Sequence, residues 1–533
     1  MISNLLALPA KLTGSFNRHS WLTGISSQTR RRILTGAVLF AVFFTYMAVV
    51  QFATPNMPDN DGYYHIKLAY LMRTEGLRPA FPWLPLTILN PREFYDHHFL
   101  FHVALIPFTF GDLRLGAKWA SVLFSSIAFL LVWRLFDRQR VPYAALWALG
   151  LLAVSEAFIY RMSITRAQSL SLAVLVLGLD ILFTRNYKWL IPLAFVYVWM
   201  YDAFPLLLLV AGLYTLAVLL IERRLDLRPL LFTAAGIGLG LLINPYFPYN
   251  IIFNVRHLIP KLTETTATNV GNEWFPYNTG QILKNSPLAL VTFLLGALAL
   301  GMNDKRMDTR TATTFFVAIL FGFMLFQARR FIEYFPPFAL IFAALAWTPL
   351  LSQAEQPVER PNSLSVGQRS PSRGWMASRR HWIAGGVIAL VLVPGILYTG
   401  RASQSSLRAS PPYGVYAQAS AWLQANTPPG SRIFQTDWDD FPRLFFYNSQ
   451  NTYLVGLDPT YMQLYDRQLY DLWVKITKGS IEHPSSYIYS RFGAEYVVTD
   501  LNHTDFIRRA EADPGLKQVF RDPQSAIYQI VNP

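Results

Sequence analysis

Apolar runs of 15 to 22 residues recur from residue 33 to residue 400, separated by short polar segments, several rich in arginine. A helix that crosses a bilayer needs about 20 such residues. The runs predict spans near 33–53, 115–136, 142–160, 169–184, 188–202, 204–221, 229–243, 287–302, 311–327, 336–351 and 382–400, eleven in all. Phe99–Phe110 is too short to span and is expected to be re-entrant or interfacial. Beyond residue 400 the pattern changes. Helices are expected at Val415–Ala425, Asp466–Lys478 and His503–Ala512, and strands at Arg432–Gln435, Tyr453–Gly456, Tyr496–Thr499, Val519–Phe520 and Ala526–Val531. That alternation predicts a small α/β sandwich. The expected fold class is a polytopic α-helical membrane protein with about eleven spans and a C-terminal α/β domain. The expected division is 1–400 and 401–533, with outside loops at 54–114 and 244–286.

Composition and charge sharpen this. Of 533 residues, 53% are hydrophobic and only 15% charged, where a soluble chain is nearer 25% charged. The absence of cysteine excludes thiol nucleophiles, cysteine zinc sites and iron–sulfur clusters. The net charge is +14. With a cytoplasmic N-terminus and eleven alternating spans, the inside segments 1–32, 137–141, 185–188, 222–228, 303–310 and 352–381 hold 20 Lys/Arg and seven Asp/Glu. The basic excess therefore follows the positive-inside rule, which argues against nucleic acid as a partner. No small-residue cleavage site follows the first apolar run, so the first helix is expected to be a retained anchor. Segment 352–381, rich in Pro, Ser and Arg, reads as a linker.

Candidate chemistry gathers on the outside. Asp59-Asn60-Asp61 opens the first loop, and two carboxylates at that spacing suit a divalent cation or a general base. Asp61 as an N-cap of a helix at Tyr63–Thr74 is the plainer alternative. Tyr95-Asp96-His97-His98 and His102 suit a transition metal or proton transfer; interfacial histidines are the other reading. Arg329 and Arg330 lie at the outer end of a span, where arginine is scarce, and guanidinium groups pair with phosphate. Glu333 pairing with either is the structural alternative. Arg161 and Arg166, in the short loop Tyr160–Gln168, are exceptions of the same kind. Glu264 and Glu273 are the carboxylates of the second large loop. Asp437-Trp438-Asp439-Asp440 follows a strand and precedes an aromatic helix, a place for a substrate-facing turn, with Asp440 as an alternative helix cap. No phosphate-cradling glycine loop, nucleophile elbow or His-Glu-x-x-His motif is present.

Together, an inside N-terminus, an acidic first outside loop, about a dozen helices and an outside α/β tail resemble the GT-C glycosyltransferases. These include oligosaccharyltransferase catalytic subunits, protein O-mannosyltransferases and aminoarabinose transferases. The resemblance implies inverting transfer of a sugar from a polyprenyl-phosphate-linked donor to a glycan, lipid or protein acceptor, at the outer face of a bacterial cytoplasmic membrane. It implies that Asp61 matches the family's first-loop aspartate, and that Asp96-His97-His98 resembles an acid-plus-histidine element of archaeal oligosaccharyltransferases. Arg329 and Arg330 match an arginine that meets the donor phosphate, with Arg161 and Arg166 as further candidates. Glu273, or Glu264, matches the acid of the later loop, and Trp438 with Asp439 echoes an acceptor-binding motif. Catalytic roles are thus expected for Asp61, Asp96, His97 and Glu273. A divalent cation, Mg2+ or Mn2+, is expected on Asp59, Asp61, Asp96 and His97. The chain departs from the oligosaccharyltransferase pattern after Tyr160-Arg161-Met162-Ser163, where no carboxylate follows. That departure weakens the metal expectation and argues against N-glycosylation.

Two other classes use the same features differently. A transporter or flippase for an anionic lipid-linked sugar would use the arginines without a base. Its mark would be inverted repeats or mid-membrane charges, and no clear repeat is seen. A non-catalytic envelope scaffold would have no use for the acid–histidine cluster.

Overall fold

The computed structural model describes residues 26–258, 271–304, 306–355, 390 and 392–531. Among them, five helices are long and apolar enough to cross a membrane: Ser27–Gln51, Leu113–Arg138, Pro205–Glu222, Thr309–Gln327 and the helix from Phe335, which runs to Glu355. One expected span, 142–160, is bent: Ala144–Leu152 turns by 79° into Glu156–Ser163. In a second bent pair Thr279–Asn285 turns by 87° into Pro287–Gly301, the helix that matches the expected span 287–302. Gln168–Phe183, Tyr187–Met200 and Arg228–Leu242 are shorter apolar helices where single spans are expected. The final expected span lies partly outside the described residues; its described end is helical over 392–408. Among the described residues, five helices, or seven with each bent pair as one, have the length and composition of a full span, so the expected count of eleven is not reproduced by length alone.

The bends have local causes. Ser155 caps the second half of its pair by accepting from Phe158 N at 3.0 Å. Ser286 precedes a proline, which disfavours helical backbone before it. The two breaks meet, with Ser155 Oγ 2.6 Å from Ser286 Oγ. Arg161 lies in the second half of the first bent pair and Arg166 in the loop that follows it.

The polar segments expected on one side gather at one end of the bundle. Arg310 Nη1 donates to Gln139 Oε1 at 3.2 Å, Thr309 Oγ1 to Glu222 Oε1 at 2.8 Å, Arg185 pairs with Glu222, and Arg32 with Asp137 at 3.2 Å. The first loop and the tail meet at the other end.

The tail holds a five-stranded sheet: β1 Arg432–Gln435, β2 Thr452–Tyr453, β3 Tyr496–Asp500, β4 Leu516–Arg521 and β5 Ser525–Ile530, in the order β2-β1-β3-β5-β4. β1 runs parallel to β2 and β3, while β5 is antiparallel to β3 and β4. Alternate strand residues point to opposite faces. Ile433, Tyr453, Val498 and Ile527 enter one core, and Phe434, Val497, Ala526 and Tyr528 the other. The second core lies under Arg467–Thr477, Pro484–Phe492 and Thr504–Ala512. The first is shared with the first loop, because Tyr64, Phe81, Trp83 and Leu84 pack with Phe441, Phe445 and Tyr453. Backbone bonds reinforce that seam: Tyr453 N donates to Trp83 O at 2.8 Å and Ile88 N to Tyr461 O at 3.1 Å.

Candidate functional site

A cavity of about 640 Å³ opens between the bundle and the tail. Its wall combines the first loop, the 160–168 loop, the second large loop, the tail-side ends of two helices and the tail. Each contributes charge.

Helix Asp61–Glu75 starts at the cavity rim. Asp61 is its first residue, not its cap, so the capping reading is corrected: its Oδ2 lies 2.7 Å from Arg166 Nη2. Asp59 binds the same guanidinium, accepting from Nε at 2.5 Å and from Nη2 at 3.0 Å. Asn60 points to the tail. It donates to Asp439 Oδ2 at 2.8 Å and accepts from Arg443 Nε at 2.6 Å. The three consecutive side chains thus fix the loop to the 160–168 loop and to the tail at once.

Glu273, in the turn Asn272–Trp274, sits among three arginines. Its Oε2 is 2.8 Å from Arg161 Nη1 and 3.2 Å from Arg166 Nη1, and its Oε1 is 3.9 Å from Arg330 Nη1. Burial alone would raise its pKa; the guanidiniums of Arg166, Arg161 and Arg330 outweigh it and hold the carboxyl well below the usual range. Asp61 goes the other way. Burial, helped by Asp59, Asp439 and Glu273, outweighs Arg166 and pushes it up to about 8. Burial, with Asp59 and Asp437 beside it, likewise pushes Asp439 up to about 6.

The arginine pair of the sequence is split. Arg330 faces the cavity, donates to Tyr201 OH at 2.8 Å and stacks 4.3 Å over the Trp274 ring. Arg329 does not line the cavity; its Nε donates to Pro276 O at 3.3 Å. Glu333 pairs with neither of them in a close ion pair, but with Arg161 at 2.8 Å.

The acid–histidine cluster is also divided. His97 lines the cavity, stacked on Phe253, and its Nδ1 has no hydrogen-bond partner among the described residues. Asp96 lies behind the wall, 2% exposed, and accepts from His102 Nδ1 at 2.8 Å and His98 N at 3.0 Å. His97 therefore shares the cavity with Asp59 and Asp61, whereas Asp96, expected in the same metal set, does not line it. His102 lies on the next turns of the Phe99–Leu105 helix and captures the carboxylate. A hydrogen bond continues from His102 Nε2 to His65 Nδ1 at 2.8 Å, and His65 lines the cavity.

From the tail come Trp438 and Asp439, both on the wall, with Asp437 accepting from Asp439 N at 3.0 Å. Asp440 is buried and holds the N-cap position of the following helix, without a capping hydrogen bond from its side chain. Glu264 lies outside the described residues. Sequence reasoning missed His65, Tyr201, Asp202, His257 and Asp458, all on the wall. Asp202 had a legible signal, an acid at the end of the expected span 188–202. No hydrogen bond or ion pair to it is formed among the described residues. Also among the described residues, no group of three or more His, Asp or Glu is placed to hold a metal ion.

No protein-family model matches the sequence, and no curated protein matches it. Solved structures do. The archaeal oligosaccharyltransferase AglB from Archaeoglobus fulgidus, in complex with an inhibitory peptide and a dolichol-phosphate, aligns at a TM-score of 0.62 and 13% identity, over 93% of this chain and 74% of that one. ArnT from Cupriavidus metallidurans, bound to undecaprenyl phosphate, aligns at 0.56 and 17%, over 95% and 98%. The mycobacterial arabinofuranosyltransferase AftD aligns at 0.50 and 14%, over 93% and 41%. All three are GT-C glycosyltransferases, and this chain has their fold. The Archaeoglobus enzyme is also known in a complex with zinc and sulfate.

Proposed function

We propose that the chain is an integral-membrane glycosyltransferase that moves a sugar from a polyprenyl-phosphate-linked donor to an acceptor at the outer face of a bacterial cytoplasmic membrane. One observation carries this reading: a cavity at the seam between apolar helices and an α/β tail, walled by carboxylates and guanidiniums from five parts of the chain. A lipid-linked donor reaches such a seam from the bilayer, and an envelope acceptor reaches it from the tail side. The polyprenyl phosphates bound to two of the structural neighbours and the charge asymmetry of the sequence support the same placement.

In this reaction the acceptor oxygen attacks the anomeric carbon and the bond from that carbon to the phosphate oxygen breaks. The phosphate leaves with the electron pair, and the acceptor proton passes to a base. Asp61 is the base in this reading, since a carboxyl poised near the working pH is the most effective acceptor. Arg330 meets the leaving phosphate, because its contact to Glu273 is the longest among the cavity's ion pairs and its charge is the least matched by a carboxylate. Asp202, His97 and Trp438 form the acceptor side. The arrangement leaves the acceptor open among glycan, lipid and protein.

Asp61→Asn keeps the side-chain shape and removes basicity. It is expected to fold normally and to cut transfer by about 10²–10⁴-fold, the usual worth of a general base. Transfer is measured with purified protein in lipid nanodiscs, after mass spectrometry of envelope glycans with and without the gene has identified the product. Wild-type turnover in folded Asp61→Asn would remove Asp61 from this role.

A further inference from the structure

The fold's relatives raise the expectation of a divalent cation, and the residues present do not fit one. Hard divalent cations need several oxygen ligands converging on one point, at about 2.0–2.6 Å. Here Asp59, Asp61 and Glu273 do converge, but on the guanidinium of Arg166. All three of its nitrogens are engaged: Nε with Asp59, Nη2 with Asp59 and Asp61, and Nη1 with both oxygens of Glu273 at 3.4 and 3.2 Å. Arg166 is mostly buried, with 19% of its side chain exposed. The other residues read as ligands point elsewhere, Asp96 to His102 and His97 to the face of Phe253.

We propose that Arg166 occupies the place of a metal ion, so that this chain's transfer site carries its cation as a side chain and works without a divalent metal. The proposal rests on the reading of the cavity as the transfer site. Arginine suits the position because its planar fork presents five fixed N–H donors and stays charged at any physiological pH. It can hold three carboxylates in one orientation, as an ion would.

A divalent ion placed among these three carboxylates would lie against the Arg166 guanidinium, which cannot lose its proton, in a site largely removed from water. Like charges buried side by side are costly.

The decisive experiment measures Mn2+ binding by electron paramagnetic resonance, on the full chain in nanodiscs, beside transfer after EDTA treatment and after Mg2+ or Mn2+ addition. Wild type is expected to show no stoichiometric Mn2+ site and to keep its transfer rate in EDTA. Arg166→Ala opens the space between the three carboxylates. It is expected to bind Mn2+ at least about tenfold more tightly than wild type, the scale on which a site's immediate surroundings alter metal affinity. It is also expected to lose transfer in EDTA and recover part of it with Mn2+ or Mg2+.

Stoichiometric Mn2+ binding by wild type that disappears in Glu273→Gln would overturn the proposal, as would loss of wild-type transfer in EDTA. A folded Arg166→Ala protein that binds no Mn2+ would also overturn it, because the three carboxylates would then not form an ion's place. If Arg166→Ala does not fold, the wild-type arms still decide. The binding arm needs no sugar donor. Absence of transfer would therefore count against the enzymatic reading, and the Mn2+ titration would still judge the role of Arg166.

Discussion

Asp61 and Glu273 share a guanidinium and are driven in opposite directions. Glu273 has three arginines within 4 Å and stays ionised; Asp61 has one, and burial wins. The sign for stability follows. A carboxyl raised from about 3.8 to about 8 binds a proton in the folded state that the unfolded chain has already released. Its effect is absent below about pH 4, and it costs stability as pH rises towards 8. The thermal midpoint of purified protein should fall between pH 5 and 8, and Asp61→Asn should flatten that fall; an unchanged slope would contradict the assignment. Activity should run the opposite way, rising with pH through about 8 as the base loses its proton. The aspartates were legible as candidates, but their partners were not. Arg166 lies 107 residues from Asp59, and Glu333 lies 172 from Arg161. Asp96 was misread for a simpler reason. A histidine six residues on competes for the same carboxylate, and spacing cannot tell a ligand from a hydrogen-bonded pair.

Among elements, the junction of the first loop with the bundle depends on close backbone approach. Helix Leu113–Arg138 begins under the short turn Ile106–Thr109, and a Cβ at Gly116 would lie 1.8 Å from Phe108 O. Helix propensity by itself predicts that Gly116→Ala stabilises by about 0.5–1 kcal/mol. The contact predicts the reverse, a loss of about 1–3 kcal/mol as the turn is forced away. Thermal melting gives the sign, and a raised midpoint would mean that the turn moves freely. The strand and helix periods of the tail were legible in the sequence, and β1 matches the expected Arg432–Gln435. Helix Pro484–Phe492 was not anticipated, and β2 is shorter than the run Tyr453–Gly456. The bend at Ser155 was also hidden, because an apolar run reads the same whether it continues straight or breaks and turns.

For the whole molecule, the segments expected inside meet at one end, and the first loop and tail meet at the other. Cysteine labelling tests which end is outside, and the chain has no native cysteine to confuse it. Ala425 and Asp304 are exposed at opposite ends. Ala425→Cys should react with an impermeant maleimide from the outer face, and Asp304→Cys only after the inner leaflet is breached. The reverse pattern would invert the topology. The shared core of the first loop and the tail has a further consequence. Residues 401–533 expressed alone would expose Phe441, Phe445 and Tyr453, whose packing includes Phe81 and Trp83 of the loop.

Apolar periodicity was enough to mark a multi-pass membrane protein, and the change of pattern beyond residue 400 its α/β tail, because those properties are local and additive along the chain. The same local signals marked Asp59, Asp61, Glu273 and the outer arginines as unusual. Which carboxylate meets which cation was decided only by the tertiary structure. Such pairing depends on distances between segments more than a hundred residues apart, and on bends that redirect a loop without changing its composition. The division of Arg329 from Arg330, the withdrawal of Asp96 behind the cavity wall and the convergence of three acids on Arg166 all arise at that level. There, burial and the geometry of the bundle set the charge of each group.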